Sequence, residues 1–276
     1  MIPLAVAQFA PGADRDANLR DIAELTARAA DRGARVVVLP EYSSYFVDPF
    51  DDSLVDNAED LDGPAPGDFV SALVDLAAQH DVHLVAGLLE SAADSRRVRN
   101  TVVAVDRTGV LARYRKLHLY DAFGQRESDW VEAGAIARPE TFDVDGTRFA
   151  LMTCYDLRFP EATRILADTG AHAVLVPAQW VRGPLKELHW NTLLRARAIE
   201  NTLFVAAADH PPPLGVGDSA IIDPQGVQIA GVGTGRDIAV AMVDPDAVAR
   251  VRRTNPALEL RRFAVVPRSE GGSEPS

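Results

Sequence analysis

Phe149-Ala150-Leu151-Met152-Thr153-Cys154, continued by Tyr155-Asp156-Leu157-Arg158-Phe159-Pro160-Glu161, reads as a buried strand that stops at a cysteine. A helix over residues 161–168, a strand over 173–176, a helix over 185–201 and a strand over 203–207 follow it. Short apolar runs alternating with helical patterns are the mark of strands covered on both faces. Toward the N-terminus the pattern repeats. Residues 4–9 form an apolar strand, and 14–32 an amphipathic helix with Leu19, Ile22, Ala23 and Ala30 on one face, stopped by Gly33. The run Val36-Val37-Val38-Leu39 then stops at Pro40 and Glu41, before a helix over 68–79 and a strand over 83–89.

Hairpins take over elsewhere. Residues 101–105 and 110–114 flank Asp106-Arg107-Thr108-Gly109. Strands over 220–222, 227–229 and 238–243 follow later, with a turn at Asp223-Pro224-Gln225-Gly226 and a helix over 245–253. The mixture predicts an α/β domain with a mixed sheet and outer helices. With no internal repeat and no long linker, residues 1–268 are expected to form one domain. The small, polar stretch 269–276 is expected to be a disordered tail. Gly231-Val232-Gly233-Thr234-Gly235 is no nucleotide loop, because no helix follows and the third glycine is misplaced; it reads as a turn between two strands.

Composition narrows the function. The formal net charge of -12 over 276 residues argues against nucleic acid and against anionic membranes as partners. No apolar run approaches the roughly 20 residues that span a bilayer. The opening apolar residues lack a basic flank and a cleavage site, so they read as a strand and not as a signal peptide. A single cysteine allows no internal disulfide, and a reducing cytoplasm is the simplest location.

Glu41, Lys116 and Cys154 each lie just past an apolar strand, where side chains leave the core while the backbone stays rigid. A carboxylate can serve as base to a thiol, and an ammonium can meet negative charge on a carbonyl oxygen. Each also has a plain reading: Glu41 as a surface carboxylate, Lys116 as a solvent-facing lysine, Cys154 as a small hydrophobe. His80, His83, His118, His172, His189 and His210 show no zinc-like pairing with Cys154, so no metal is expected. His118 reads as structural.

Leu39-Pro40-Glu41, Tyr114-Arg115-Lys116-Leu117-His118-Leu119 and Cys154-Tyr155-Asp156-Leu157-Arg158-Phe159-Pro160-Glu161, in that order, resemble the nitrilase (carbon–nitrogen hydrolase) superfamily. Val6-Ala7-Gln8 and Gly217-Asp218-Ser219-Ala220-Ile221-Ile222-Asp223-Pro224-Gln225-Gly226 match as well, so the resemblance covers nearly the whole chain. It implies a four-layer α-β-β-α sandwich with mixed sheets. It also implies a Glu-Lys-Cys triad on Glu41, Lys116 and Cys154, with a second glutamate at Glu127 in preference to Glu132. The Tyr155 N–H is the implied second oxyanion donor, the intermediate a thioester, and no cofactor is required. Homodimerisation, through the helices over 161–168 and 185–201, is a further implication.

The residues after the cysteine, with His189-Trp190 and Leu193-Leu194-Arg195-Ala196-Arg197-Ala198-Ile199-Glu200, are most similar to the branch of ω-amidases and deaminated-glutathione amidases. A small amide bearing a carboxylate is therefore the expected substrate. N-carbamoyl amino-acid hydrolases and nitrilases share the framework and stand as alternatives, and an inactive partner-binding relative is a third. Tyr42, Trp180 and Arg182 are expected to contact substrate, with Tyr45 and Phe46 as wall or packing. Arg158 and Lys186 are further cations for a carboxylate, although Arg158 reads better as an ion-pair partner of Asp156 or Glu161.

Overall fold

The computed structural model describes residues 1–93 and 96–268, so the expected tail lies outside the described residues. The first half runs β1 (Ile2–Gln8), α1 (Arg15–Asp31), β2 (Val36–Val38), α2 (Ser53–Asp56), α3 (Asp68–His80), β3 (His83–Ser91), β4 (Val98–Asp106) and β5 (Gly109–Arg115). The second runs β6 (Thr141–Val144), β7 (Thr147–Leu151), α4 (Pro160–Asp168), β8 (Ala173–Pro177), α5 (Lys186–Asn201), β9 (Phe204–Ala208), β10 (Ala220–Ile222), β11 (Gln228–Gly231), β12 (Asp237–Val243) and α6 (Pro245–Thr254).

These strands form two six-stranded sheets, ordered β12-β1-β2-β3-β4-β5 and β11-β10-β9-β8-β7-β6. Each has a parallel centre, β1-β2-β3 in one and β7-β8-β9 in the other, with antiparallel strands on both sides. Side-chain alternation explains the layering. In β1, Leu4 and Val6 face the core between the sheets, whereas Ala5 and Ala7 face the layer holding Ile22 and Leu25 of α1 and Leu73 of α3. In β7 and β8, Leu151 and Leu175 face the inter-sheet core, while Ala150, Val174 and Val176 face Trp190 and Leu194 of α5. The result is the expected α-β-β-α sandwich. Central strands buried on both faces need apolar residues at every position, which is why they read as continuous runs.

Two features depart from the reading of the sequence. The connection 232–236 joins strands of different sheets, so it crosses the sandwich and is not a local turn. Strand β6 pairs antiparallel with β7 through a two-residue turn at Asp145 and Gly146, both at positive φ (46° and 78°). An Asp-Gly pair is a strong hairpin signal, but the four residues of β6 are too few to announce themselves. No helix among the described residues is long and apolar enough to cross a membrane.

Candidate active site

Glu41 leaves β2 through Leu39 and Pro40 and lies against β3 at Gly87. A Cβ at Gly87 would sit 2.6 Å from the Glu41 Cα, so only glycine admits this approach. Glu41 is buried and its carboxylate accepts three hydrogen bonds. Its Oε1 accepts from Lys116 Nζ at 2.9 Å and from Asn100 Nδ2 at 2.6 Å, and its Oε2 accepts the Gln179 N–H at 2.7 Å. The His210 Nε2–H donates to the Glu41 carbonyl at 2.8 Å.

Lys116 follows β5, whose register is continued by the Lys116 N–H on the Asn100 carbonyl (2.9 Å). Its ammonium is buried between two carboxylates, 2.9 Å from Glu41 Oε1 and 2.9 Å from Glu127 Oε2. Burial alone would push the lysine toward its neutral form, but the Glu127 and Glu41 charges outweigh it and hold the ammonium well above the ordinary lysine range. Glu127 sits in a short 3-10 helix, Glu127–Asp129. It also accepts the Tyr42 hydroxyl at 2.6 Å and the Tyr120 N–H at 2.6 Å. Glu132 is elsewhere, paired with Arg99 at 2.7 Å.

Cys154 begins the 3-10 helix Cys154–Arg158 just after β7. Its φ of +44° lies in the left-handed region, an uncommon and strained position for a side-chain-bearing residue. A capping box between Thr153 and Asp156 holds the turn, and the Thr153 hydroxyl donates to the Pro177 carbonyl at 2.7 Å. The Cys154 thiol donates to the Gln179 carbonyl at 3.5 Å. Burial, and then the Glu41 charge, push this thiol well above its ordinary pKa, with Lys116 opposing. The resting group is therefore S–H and needs a base to become a nucleophile.

All three residues line one cavity of about 530 Å³, together with Tyr42, Glu127, Tyr155, Trp180 and Arg182. Tyr45 is absent from the lining, and its hydroxyl bonds Ser53; Phe46 lines the cavity and also packs against Tyr42 and Phe50. Arg182 stands at the half-exposed rim, 3.7 Å from Glu187. His118 is structural, as read: its Nδ1 lies 2.7 Å from Asp156 Oδ1 and its ring stacks on Phe159 at 3.7 Å.

Arg158 corrects an expectation. It pairs with neither Asp156 nor Glu161, because Asp156 is consumed by the capping box and by His118. The guanidinium turns instead into the cavity, 4.8 Å from the Trp180 ring centre and 5.9 Å from that of Tyr155. Lys186 enters the same space and donates to the Tyr120 hydroxyl at 2.8 Å. Asn100, which bridges Glu41 and Glu127 (2.6 and 3.2 Å), is a residue that pattern reading passes over. Its only signal is an asparagine inside an apolar strand, where asparagine is normally depleted. Among the described residues no group of three or more His, Cys, Asp or Glu side chains could hold a metal.

A buried thiol, a carboxylate and a doubly paired lysine at the strand ends of a two-sheet sandwich define a cysteine-dependent hydrolase. Comparison with known proteins agrees. The family model described as carbon-nitrogen hydrolase matches residues 3–253. The chain is 40% identical over 263 residues to the deaminated glutathione amidase of Escherichia coli O157:H7, covering 95% of this chain and 97% of that one. It is 35% identical to the 2-oxoglutaramate amidase of Bacillus subtilis, covering 86% and 88%. Among solved structures, Saccharomyces cerevisiae Nit3, a member of branch 10 of the nitrilase superfamily, superposes with a TM-score of 0.83 at 28% identity, covering 95% and 97%. A glutamate-to-glutamine variant of the Nesterenkonia sp. AN1 amidase, with acrylamide added at its active-site cysteine, superposes with a TM-score of 0.75 at 26% identity, covering 92% and 99%.

This chain belongs to the carbon–nitrogen hydrolase family of the nitrilase superfamily. Within it, the chain is a cysteine-dependent amidase with its Glu-Lys-Cys triad on Glu41, Lys116 and Cys154.

Proposed function

We propose that the enzyme hydrolyses amides of small, carboxylate-bearing acids through a thioester on Cys154. One observation carries the substrate class. Five cations line the cavity: Lys116, Arg126, Arg158, Arg182 and Lys186. Carboxylates neutralise Lys116, Arg126 and Arg182, but among the described residues none pairs with Arg158 or Lys186. The polar partner of Arg158 is His189 Nδ1 (3.4 Å) and that of Lys186 is the Tyr120 hydroxyl (2.8 Å), so neither has an anionic partner, and a substrate carboxylate supplies the missing charge. A cavity of about 530 Å³ also admits molecules much larger than a simple primary amide. Deaminated glutathione and 2-oxoglutaramate, the substrates named for two relatives, meet both conditions.

In this mechanism Glu41 takes the thiol proton and Cys154 attacks the amide carbon. Lys116 and the Tyr155 N–H hold the oxyanion, and Glu127 fixes Lys116 at its second carboxylate contact. The nitrogen leaves with a proton returned through Glu41, which then activates water to cleave the thioester. Tyr42, through Glu127, and Trp180, beneath Arg158, shape the walls.

The test is a panel of 2-oxoglutaramate, succinamate, deaminated glutathione, N-carbamoyl amino acids and nitriles, with products resolved by mass spectrometry and Cys154→Ala as control. Turnover of the carboxylate amides, lost in the variant, supports the reading. Turnover of carbamoyl compounds or nitriles alone replaces the substrate class and keeps the triad. The reading extends to a homodimer across α4 and α5, the latter exposing Leu188 and Ile199; a monomeric mass by light scattering at micromolar concentration would refute that.

A further inference from the structure

Asp209 follows β9 and is completely buried. Its Oδ1 accepts the Trp180 N–H at 2.6 Å, and its Oδ2 accepts the N–H groups of Val216 and Gly217, each at 3.0 Å. Three donors fix the carboxylate at both oxygens. The segments it joins carry one wall of the cavity, with Gln179, Trp180, Val181 and Arg182 on one side and Pro213 and Leu214 on the other.

Asp209 is itself held from the opposite sheet. Its N–H donates to Ser219 Oγ at 2.9 Å, and Ser219 donates its N–H (3.1 Å) and hydroxyl (2.7 Å) to Gln8 Oε1. The Gln8 amide donates in turn to the carbonyls of Gly233 and Gly235, both at 2.7 Å. Gln8, Ser219 and Asp209 are all fully buried. A continuous chain of hydrogen bonds thus runs from the end of β1 to the loop after β8.

The peptide unit at the end of that chain touches the triad. The Gln179 carbonyl and the Trp180 N–H belong to one planar group, so fixing the N–H aims the carbonyl. That carbonyl accepts the Cys154 thiol, while the Gln179 N–H binds Glu41 Oε2. We infer that Asp209 is a positioning residue for the amidase reaction. Through the Gln179–Trp180 peptide it sets the Cys154 thiol against Glu41, and Ser219 and Gln8 hold Asp209 in place. The inference rests on the roles proposed above for Glu41 and Cys154.

The test compares Asp209→Asn and Ser219→Ala with wild type in steady-state turnover of the best amide and in the rate of Cys154 alkylation by iodoacetamide. Asp209→Asn sets an amide N–H against a backbone N–H; Ser219→Ala removes two hydrogen bonds, one from the Asp209 N–H and one to Gln8 Oε1, and no charge. Small displacements of reacting groups are expensive. The expected kcat loss is about 10- to 100-fold for Asp209→Asn and about 3- to 10-fold for Ser219→Ala, with KM within about threefold. Alkylation of Ser219→Ala, which needs no substrate, slows in parallel. Unchanged kcat and alkylation in the folded variants, with only the melting temperature lowered, would reduce Asp209 to a folding contact and overturn the inference. A raised KM at normal kcat would overturn it too, moving the effect to substrate binding through Trp180. If Asp209→Asn does not fold, Ser219→Ala decides alone. A wild type silent on every amide, with slowed alkylation in Ser219→Ala, would fault the proposed substrates and leave the positioning role standing.

Discussion

A lysine buried beside an arginine loses its charge more readily unless an anion joins them. Burial, and then Arg158, lower the pKa of Lys186 from the ordinary lysine value. As pH rises, Lys186 therefore deprotonates earlier than an exposed lysine does. KM for carboxylate amides is expected to climb on the alkaline side, while KM for a neutral amide of equal length stays flat. Lys186→Met keeps the length and removes the charge; it should raise KM for the carboxylate substrate by about 10- to 100-fold with kcat little changed. Equal effects on both amides would remove Lys186 from carboxylate recognition. At this scale the sequence is legible at Glu41, Lys116 and Cys154 because each lies in a short motif resembling the nitrilase superfamily; a polar residue past an apolar run leaves the plain reading open. The sequence is not legible where the partner comes from a distant segment. Asn100 and Asp209 acquire meaning only once β4 meets Glu41 and β9 meets the loop after β8. Arg158 reads from the sequence as an ion-pair partner because nothing in the chain order shows that Asp156 is already occupied by Thr153 and His118.

Elements matter here chiefly through their ends. β2, β5 and β7 deliver Glu41, Lys116 and Cys154 to one cavity because each stops one to three residues before its functional side chain. Gly87, within β3, makes the approach of Glu41 possible. Gly87→Ala would press a methyl group into the Glu41 backbone, which cannot swing aside as a side-chain tip can. A stability loss of about 1–3 kcal/mol, with activity falling further than stability, is the expected outcome by denaturant titration and turnover. Wild-type activity in Gly87→Ala would show that Glu41 can be displaced without consequence. The long apolar strands and amphipathic helices are legible from their periodicity. β6, the short α2 and the 3-10 turn at Glu127 are not, since a few residues of mixed character give no period to count.

The whole molecule brings together two sheets whose parallel centres run continuously apolar, and the site forms where strand ends and long loops meet. The same burial makes the fold sensitive to acid. His210, fully buried with Nε2 on the Glu41 carbonyl, has its pKa lowered by burial to about 4. The unfolded chain takes up a proton near pH 6.5 and the folded chain only near pH 4, so unfolding is favoured as pH falls between them. This one group should remove about 3 kcal/mol of stability across that window. His210→Gln, which retains a donor, should flatten the slope of melting temperature against pH there; an unchanged slope would assign acid sensitivity to other groups. Apolar periodicity alone reads as an α/β domain with a mixed sheet and outer helices; the four-layer sandwich and the triad are legible through the resemblance that the three short motifs carry. The inward turn of Arg158 beside Lys186 required the packed molecule.

The most direct measurement is the intact mass of the enzyme quenched during turnover of 2-oxoglutaramate or succinamate. A mass increase equal to the substrate acyl group, located on Cys154 by peptide mapping and absent from Cys154→Ala, is the predicted result. Full turnover by Cys154→Ala, with no acyl adduct on the wild type, would contradict a thioester mechanism at this cysteine.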